Sequence, residues 1–451
     1  MIVFRGGTVV SSHGSERRDL YVDGGRIAEP GQAEQVVDVS GCLLFPGFID
    51  SHTHMDMPVS GTVTADSFPT GTAAAVAGGT TVIIDFATQD RGHTLGEALD
   101  VWHERADGRC ACDYGFHMAV TDWNERTRRE LRDMIDAGVT TFKGYMAYDN
   151  LKLTDDEIRE LLCFAGELGG VVGMHCERGG DVTENVRALL ARGQTEPRFH
   201  PVSRPNKVES VAIRRFLELA KEAEGRPWVV HLSTKEGLTV IDGARGMGRH
   251  VLAETCPQYL TLTDELYALP GFEGAKYVCS PPLRSAADRD ALREAVKDGR
   301  IDIVSTDHCS FNFIGQKEKG RGDFSRIPNG LPGVEQRPAV FWSECVSPGL
   351  VTQGDMCRLL SEKPAKVMGL WGRKGALLPG FDADIVVWDP SWRGVLHAQG
   401  QQTACDYSPW EGLHLTGRAR EVWLRGEKAA ENGVCVKKSG GVYLKRDVPI
   451  L

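Results

Sequence analysis

The stretch LLFPGFIDSHTH, residues 43–54, is an apolar run that ends in two histidines one residue apart. Side chains two residues apart on a strand point to the same face, so His52 and His54 would share one side of a sheet. An H-x-H pair alone is weak evidence for a metal site, because chance often produces one in a chain with 13 histidines. The interpretation of this stretch therefore depends on what ends the other apolar runs.

Further apolar runs alternate with amphipathic segments between about residues 49 and 370. The predicted strands are TTVIIDFA (80–87), DYGFHMAV (113–120), TTFKGYMAY (140–148), VVGMHCE (171–177), WVVHLST (228–234), HVLAETCPQYL (250–260) and IDIVSTDH (301–308). Continuous apolar runs are typical of parallel strands buried on both faces, and parallel strands need crossover connections. With the first stretch they predict a (β/α)8 TIM-type barrel, with an open doubly wound sheet as the alternative.

The two ends of the chain have a different pattern of predicted secondary structure from the middle. Short strand-like segments with Gly- and Ser-containing turns occupy residues 1–48, and strand character returns after about residue 376 in ADIVVWDP and REVWLRGEKAAENGV. We therefore expect a small β-sandwich domain formed by residues 1–48 plus 376–451. The barrel domain, residues 49–375, would be inserted between the two segments.

Composition excludes some classes of partner. The chain has 451 residues, 41% hydrophobic and 25% charged, with a formal net charge of −10, which is ordinary for a folded soluble protein. No basic block is present, so nucleic acid is not an expected partner. No apolar run approaches the roughly 20 residues needed to cross a bilayer, and no signal-peptide pattern begins the chain, so no membrane contact is expected. Twelve cysteines without a regular framework predict reduced thiols and a cytoplasmic location.

Potential metal ligands occur at or near the ends of five predicted strands, where a β/α barrel carries its active site. They are His52, His54, Lys143, His175, His231 and Asp307. Singly, each histidine is more typical of a hydrogen-bonded core residue, and Asp307 of a helix N-cap. Together, nitrogen and oxygen ligands without a thiolate pattern predict a metal centre, with zinc as the default and manganese or cobalt as alternatives.

Lys143 lies inside an apolar strand, where an ammonium group is costly to bury unless it is paired or neutralised. The alternative is a side chain that snorkels to solvent at the strand end. Burial lowers the pKa of a lysine and makes its amine nucleophilic. Such an amine can capture carbon dioxide and become a carbamate, whose two oxygens can bridge two cations. Lys143 is therefore a candidate bridging ligand.

Longer strings extend the pattern over nearly the whole chain. They are HTHMDMPVSGTVTADSFPTGTAAAVAGGTTVIIDFA, FKGYMAY, ETCPQYL, SPPLR, TDHCSF, IPNGLPGVE and DYSPWEG. These strings resemble the dihydropyrimidinases and bacterial D-hydantoinases of the binuclear-metal amidohydrolase superfamily. The resemblance implies hydrolytic ring opening of cyclic amides, namely 5-substituted hydantoins and dihydropyrimidines, to N-carbamoyl amino acids by a metal-bridged hydroxide. It also implies a homotetramer.

The resemblance assigns roles by position. It implies two divalent metal ions, Zn²⁺ by default. The implied ligands are His52, His54 and Asp307 for one ion, His175 and His231 for the other, and N6-carboxylated Lys143 as the bridge. Tyr148 matches the tyrosine that donates to the developing oxyanion, and Asp307 would transfer the proton. Ser280 and Asn329 match the positions whose backbone groups hold the substrate's imide.

Three related classes of protein are alternatives to this assignment. A dihydroorotase would need an arginine just after the H-x-H pair to bind a substrate carboxylate, and this chain has Met55 and Asp56 there. An allantoinase-like cyclic ureide hydrolase is the second enzyme candidate. A non-catalytic dihydropyrimidinase-related scaffold protein would lack the metal ligands, so metal content distinguishes it.

The pocket for the exocyclic group of the substrate is implied to lie between loops 57–69 and 148–154. The apolar members of the first loop are Met57, Val63 and Phe68. The second loop carries Lys152 where an apolar or aromatic residue is expected. One hypothesis is that Lys152 favours substrates with an acidic or polar substituent. The alternative is that Lys152 points to solvent.

Overall fold

The structure is a computed structural model that describes residues 1–59 and 61–451. The strands in chain order are β1 (Ile2–Arg5), β2 (Thr8–Ser11), β3 (Gly14–Arg17), β4 (Leu20–Asp23), β5 (Arg26–Ala28), β6 (Gln35–Asp38), β7 (Leu43–Pro46), β8 (Phe48–Thr53), β9 (Pro58–Val59), β10 (Thr62–Val63), β11 (Thr80–Thr88), β12 (Asp113–Ala119), β13 (Thr141–Tyr145), β14 (Val171–His175), β15 (Pro227–Val229), β16 (Leu252–Thr255), β17 (Ile303–Val304), β18 (Ile385–Val395), β19 (His414–Leu424), β20 (Glu427–Glu431) and β21 (Val434–Cys435).

Helices connect the strands of the middle region. In chain order they are α1 (Phe68–Gly78), α2 (Leu95–Ala106), α3 (Glu125–Asp136), α4 (Asp155–Glu167), α5 (Gly179–Ala191), α6 (His200–Ser203), α7 (Asn206–Glu222), α8 (Lys235–Gly246), α9 (Pro257–Thr261), α10 (Ala286–Lys297), α11 (Arg337–Phe341), α12 (Gln353–Cys357) and α13 (Lys363–Val367). Short 3-10 helices add Pro197–Phe199, Asp264–Ala268, Pro270–Tyr277, Lys317–Gly320 and Phe324–Arg326, and π-helical turns add Trp342–Val346 and Arg358–Glu362. Among the residues described, no helix is both long and apolar enough to span a bilayer.

The middle of the chain forms the predicted barrel. Within the described residues, eight parallel strands pair in the order β17-β16-β15-β14-β13-β12-β11-β8. A parallel bridge between Thr53 and His308 joins the end of the first strand to the segment after the last one. The prediction of a (β/α)8 TIM-type barrel is therefore confirmed, and the open sheet is excluded because the two edges meet.

Amphipathic patterning explains how the outer helices dock on the barrel. Helix α4 begins at a capping box, in which the Thr154 side chain accepts from the Glu157 amide and the Glu157 carboxylate accepts from the Thr154 amide. Its buried residues are Ile158, Leu161, Leu162 and Ala165. This spacing of three and four residues forms one stripe along the helix, which packs against the sheet.

The terminal segments form two further sheets. One has the order β5-β4-β1-β6, and the other has the order β21-β20-β19-β18-β7-β2-β3. The second sheet mixes strands from both ends of the chain, because β18 pairs antiparallel with β7 and β7 pairs parallel with β2. The expectation that both termini contribute to additional sheets beside the barrel is confirmed.

The opening stretch, residues 43–54, is two strands rather than the single strand predicted. Strand β7 belongs to the terminal sheet and β8 begins the barrel, with Gly47 between them. A Cβ at Gly47 would lie 2.0 Å from Thr81 Oγ1 and 2.9 Å from Asp384 Cβ, so only glycine allows this close approach. Gly47 therefore marks the point where the chain passes from one sheet to the other.

The last part of the chain packs against the floor of the barrel, which is the end where the strands begin. Backbone amides of Gly441 and Leu444 donate to the carbonyl oxygens of Cys110 and Tyr114. The buried Arg446 side chain donates to Thr141 Oγ1 at 2.9 Å. This end of the barrel is therefore closed, and the opposite end is left for a site.

Candidate active site at the barrel mouth

All nine residues selected from the sequence line one cavity at the C-terminal end of the barrel. They are His52, His54, Lys143, Tyr148, His175, His231, Ser280, Asp307 and Asn329. The cavity has a volume of ≈ 650 Å³. Residues far apart in sequence meet here because parallel strands of a closed barrel end at one rim. The predicted site residues are thus brought together without exception, although their chemical roles remain predictions.

Asp307 joins the two histidines of the opening stretch. Its Oδ1 lies 3.2 Å from Nε2 of His52 and 3.2 Å from Nε2 of His54. One ligand atom from each of the three residues lies within 4.8 Å of the others. Burial alone would raise the pKa of Asp307, but the nearby His52 and His54 side chains outweigh burial, and the pKa lies well below its usual range. Asp307 is therefore a carboxylate at neutral pH.

His175 and His231 form a second pair beside the first. Nδ1 of His175 lies 3.1 Å from Nε2 of His231, and the His231 ring centroid is 5.5 Å from that of His52. Burial lowers the pKa of His231 well below its usual value, and the nearby Lys143 charge lowers it further. Burial also lowers the pKa of His175. Both rings are therefore neutral and have a nitrogen lone pair available for a cation.

Lys143 is buried at the mouth of the barrel. Its side chain is 1% exposed, and its Nζ lies 4.9 Å from the centre of the Phe86 ring. It forms no ion pair with any carboxylate in the described part of the chain. Burial lowers the pKa of Lys143 to about 8, against the opposing charges of Asp307 and Glu254. A larger fraction of this amine is neutral at physiological pH than in an ordinary lysine.

Three of the site residues have a strained backbone. Tyr148, His231 and Asp307 have φ values of 68°, 40° and 53°, in the left-handed region that non-glycine residues rarely adopt. Each such residue costs about 1–3 kcal/mol and persists only where the surrounding structure holds it. Such residues cluster at functional sites, so the strain supports a functional role for this rim.

Three further residues line the cavity beside the histidines, namely Tyr148, Ser280 and Asn329. The Tyr148 ring centroid is 5.3 Å from that of His175. Burial raises the pKa of Tyr148, so its phenol stays protonated and can donate a hydrogen bond. The buried Ser280 Oγ has no hydrogen-bond partner among the described residues. These groups can receive the polar atoms of a small molecule next to the histidine cluster.

Comparison with known proteins agrees with this arrangement. The family model described as "Amidohydrolase family" matches residues 43–428. A D-hydantoinase of Streptomyces coelicolor is 44% identical over 98% of this chain and 97% of its own length. A D-hydantoinase of Geobacillus stearothermophilus is 40% identical over 98% of this chain and 96% of its own length. A crystal structure of a dihydropyrimidinase from Brevibacillus agri superposes with a TM-score of 0.98 at 40% identity, covering 100% of this chain and 99% of that one.

The chain belongs to the dihydropyrimidinase/D-hydantoinase family. Both the matched region and the relatives extend across the barrel and into the terminal sheets. The predictions of a metal-dependent amidohydrolase that acts on cyclic amides are confirmed at the level of the family.

Amidohydrolase family membership implies a binuclear metal centre, and the donor set of this chain fits one. His52 Nε2 is buried near Asp307 but has no hydrogen-bond partner in the described structure, and His54 Nδ1 also has none. Unpartnered buried nitrogens are costly, and a cation would satisfy those that face it. The approach of two histidines and a carboxylate without hydrogen-bond geometry is typical of groups that surround a common ion.

Two orienting carboxylates were missed in the sequence. Glu254 Oε1 lies 2.8 Å from Nδ1 of His52, and Glu177 Oε2 lies 2.8 Å from Nε2 of His175. Each leaves the opposite ring nitrogen facing the cavity, which is the usual arrangement for metal-ligating histidines. Arg204 donates a hydrogen bond to the Glu177 carboxylate at 2.6 Å and balances its negative charge. The available signal was a glutamate inside an apolar strand or directly after one, as in LAET and GMHCE.

The outer part of the cavity differs from the expected loop pocket. Of the apolar residues proposed for loop 57–69, Met57 lines the cavity, whereas Val63 is 47% exposed and Phe68 is buried in the core. Phe68 is turned inward because it begins α1, with its amide bonded to the Asp56 carboxylate. Ser60 of this loop lies outside the described residues.

Lys152 does not line the cavity, which contradicts the hypothesis that it selects polar substituents. Its Nζ donates to the exposed Asp149 carboxylate at 2.5 Å, so the side chain points to solvent. Leu151 and Asn150 line the cavity instead. Helix α2, which the sequence did not single out, contributes Glu97, Ala98, Val101, Trp102 and Arg105.

Proposed function

We propose that this protein hydrolyses 5-substituted hydantoins and dihydropyrimidines to N-carbamoyl amino acids. The observation that carries the proposal is that the six candidate metal ligands share one cavity with Tyr148, Ser280 and Asn329. The printed names of the relatives, D-hydantoinase and dihydropyrimidinase, support the same substrate class.

The proposed metal centre holds two divalent ions, Zn²⁺ by default, because its donors are imidazole nitrogens and oxygens without thiolates. His52, His54 and Asp307 would hold one ion, and His175 and His231 would hold the other. Lys143 would serve both ions as a carbamate, which its burial and lowered pKa support. When bound, such ions lower the pKa of a water molecule and polarise the carbonyl group of the substrate.

The reaction then depends on how the chain orients the ring and moves one proton. Backbone groups of Ser280 and Asn329 hold the imide, and the Tyr148 phenol donates to the carbonyl oxygen as it becomes negative. Asp307 accepts a proton as water oxygen bonds to the carbonyl carbon. It then returns the proton to the ring nitrogen as the C–N bond breaks. The second proton of the water is released from the new carboxylic acid to solvent, so the product has one carboxylate and a free carbamoyl NH2 group.

We further infer a homotetramer located in the cytoplasm, with residues 1–48 plus 376–451 as a β-sandwich domain and residues 49–375 as the catalytic barrel. The family resemblance supports the tetramer. The twelve cysteines, all free in the described structure, support a reducing compartment. The molar mass measured by light scattering in solution tests the tetramer. The mass of a monomer or a dimer would contradict it.

The test of the function is one assay that compares ring opening of hydantoin, dihydrouracil, phenylhydantoin and allantoin by zinc-loaded protein. We expect turnover of hydantoins or dihydrouracil. Faster turnover of dihydrouracil would identify the protein as a pyrimidine-degrading enzyme. Faster turnover of substituted hydantoins would identify it as a hydantoinase. Preference for allantoin, or no turnover of any ring by metal-loaded protein, would contradict the proposal.

A further inference from the structure

Lys317 is a fully buried lysine that the proposed mechanism does not use. Its side chain is 0% exposed, and it forms no ion pair with any carboxylate of the described residues. It lies at the start of the short 3-10 helix Lys317–Gly320. An ammonium group in such a place is costly, and a methionine of similar size would avoid the cost. The position of the charge therefore requires an explanation.

The Lys317 ammonium holds two separate segments of the cavity wall. Its Nζ donates to the carbonyl oxygen of Val278 at 2.8 Å and to that of Pro328 at 3.0 Å. Val278 lies two residues before Ser280, and Pro328 lies directly before Asn329. Hydrogen bonds from a charged donor are about twice as strong as neutral ones. The two segments are therefore tied together behind the residues that face the cavity.

A single backbone contact also joins these segments. The Gly330 amide donates at 3.0 Å to the same Val278 oxygen that Lys317 binds. Gly330 cannot be replaced without a collision, because a Cβ there would lie 2.3 Å from the Cys309 carbonyl oxygen. This junction therefore fixes the distance between the backbone on one side of the cavity and the backbone on the other.

We propose that Lys317 is a positioning residue that sets the separation of the Ser280 and Asn329 backbone groups and so determines how tightly the ring imide is held. The inference rests on the proposed function for the identity of the ligand. Lys317 touches neither the ring nor the metal ligands, so its effect passes through the Val278 and Pro328 carbonyl groups. Burial lowers the pKa of Lys317 to about 8, which agrees with a group held by carbonyl dipoles rather than by a counter-charge.

The test replaces Lys317 by methionine in the full zinc-loaded protein and measures KM and kcat for hydantoin. The imide is held in both the ground state and the transition state, so loosening its holders raises KM more than it changes kcat. We expect KM to rise roughly 10-fold, the scale of about one hydrogen bond lost from the imide, and kcat to change by less than about threefold. An unchanged KM would overturn the proposal.

A matched control is Lys374→Met, which removes the buried lysine at the floor of the barrel. A rise in KM of equal size in both variants would also overturn the proposal, because general loosening would explain it. Lys317→Gln keeps a neutral donor and is expected to give an intermediate KM. It replaces Lys317→Met if that variant does not fold.

A second measurement does not depend on turnover. Hydrogen–deuterium exchange at the Gly330 amide, which is bonded to Val278, is expected to speed up in Lys317→Met by more than exchange at amides of the barrel strands. Lys374→Met is expected to change exchange at both places alike. If the unmodified protein opens no ring, the proposed function fails and exchange alone decides the tethering role. Equal exchange at Gly330 in the unmodified protein and in Lys317→Met would overturn that role.

Discussion

Lys143 and Lys374 are both buried, at 1% and 2% exposure, but they lie at opposite ends of the barrel in opposite surroundings. Lys374 Nζ lies within 3.1 Å of three carboxylates, and Lys143 has no ion pair among the described residues. The three carboxylates belong to Asp113, Asp382 and Asp384. Burial favours the neutral form of both lysines, and at Lys143 it lowers the pKa. At Lys374 the charges of Asp384 and Asp113 outweigh the effect of burial, so the pKa lies above its usual value.

The difference shows that burial alone does not decide what a lysine does. At the floor, the cation is permanent and ties β12, through Asp113, to the segment before β18, through Asp384. At the mouth, the pKa of about 8 makes a neutral amine accessible, as carbamate formation requires. The floor lysine is therefore a structural ion, whereas the surroundings of the mouth lysine suit the bridging role proposed for it.

The largest effect that would test this contrast is expected for Lys143→Ala. Loss of the bridge should remove bound metal, and with it several kcal/mol of transition-state stabilisation, or about 10³-fold or more in rate. Metal content by mass spectrometry and turnover of hydantoin measure both losses. Short-chain carboxylic acids are expected to restore part of each, since they resupply two bridging oxygens. Full activity without additives would contradict the bridging assignment.

The floor is tested by Lys374→Met, which leaves three buried aspartates with a single remaining nearby cation, Arg425, in the described structure. Removing one partner of a buried ion pair costs about 3–5 kcal/mol. We expect the urea midpoint of unfolding to fall accordingly, while the metal content and KM of the folded protein stay unchanged. Loss of metal in this variant would contradict the conclusion that the floor lysine acts independently of the site at the mouth.

A smaller effect is expected for Glu177→Gln at the mouth. The glutamine can still contact His175 but no longer presents a carboxylate to it or to Arg204. Loss of such an orienting group costs roughly 10–100-fold in metal affinity or activity. Metal titration against a chelator measures the change, and an affinity equal to that of the unmodified protein would show that Glu177 does not orient the ligand.

The smallest effect is expected for Lys152→Met in loop 148–154. Because Lys152 pairs with exposed Asp149, where solvent screens the interaction, its removal should leave the urea midpoint of unfolding nearly unchanged. The ratio of rates on acidic and aromatic hydantoins should also be unchanged. A shift of that ratio would mean that the loop rearranges and brings this third lysine into the cavity.

The sequence located the barrel and the mouth because their signals are periodic or compositional. Continuous apolar runs mark buried parallel strands, and a lysine such as Lys143 inside such a run stands out. Glu177 and Glu254 were missed because a single glutamate near a strand has no spacing rule. They become recognisable only when the histidine beside each is known to need an acceptor.

The loops were less predictable for a different reason. The direction of Lys152 depends on the neighbouring Asp149, and no periodic pattern along the chain encodes that direction. The splitting of the first strand at Gly47 depends on Thr81 and Asp384, which come from other parts of the chain. The Gly47 feature is set by contacts between distant residues, which short sequence windows do not contain. The Lys152 feature is a local pairing, but it follows no periodic rule from which the direction of the side chain could be read.

The left-handed backbone of Tyr148, His231 and Asp307 has a consequence for attempts to evolve a sturdier enzyme. Glycine at any of these positions would relieve about 1–3 kcal/mol of local strain, but it would also remove the contacts of a buried or half-buried side chain. The same exchange would delete the side chain on which the proposed chemistry depends. A stability screen alone would therefore not report what these three residues contribute, and libraries should leave their codons unchanged.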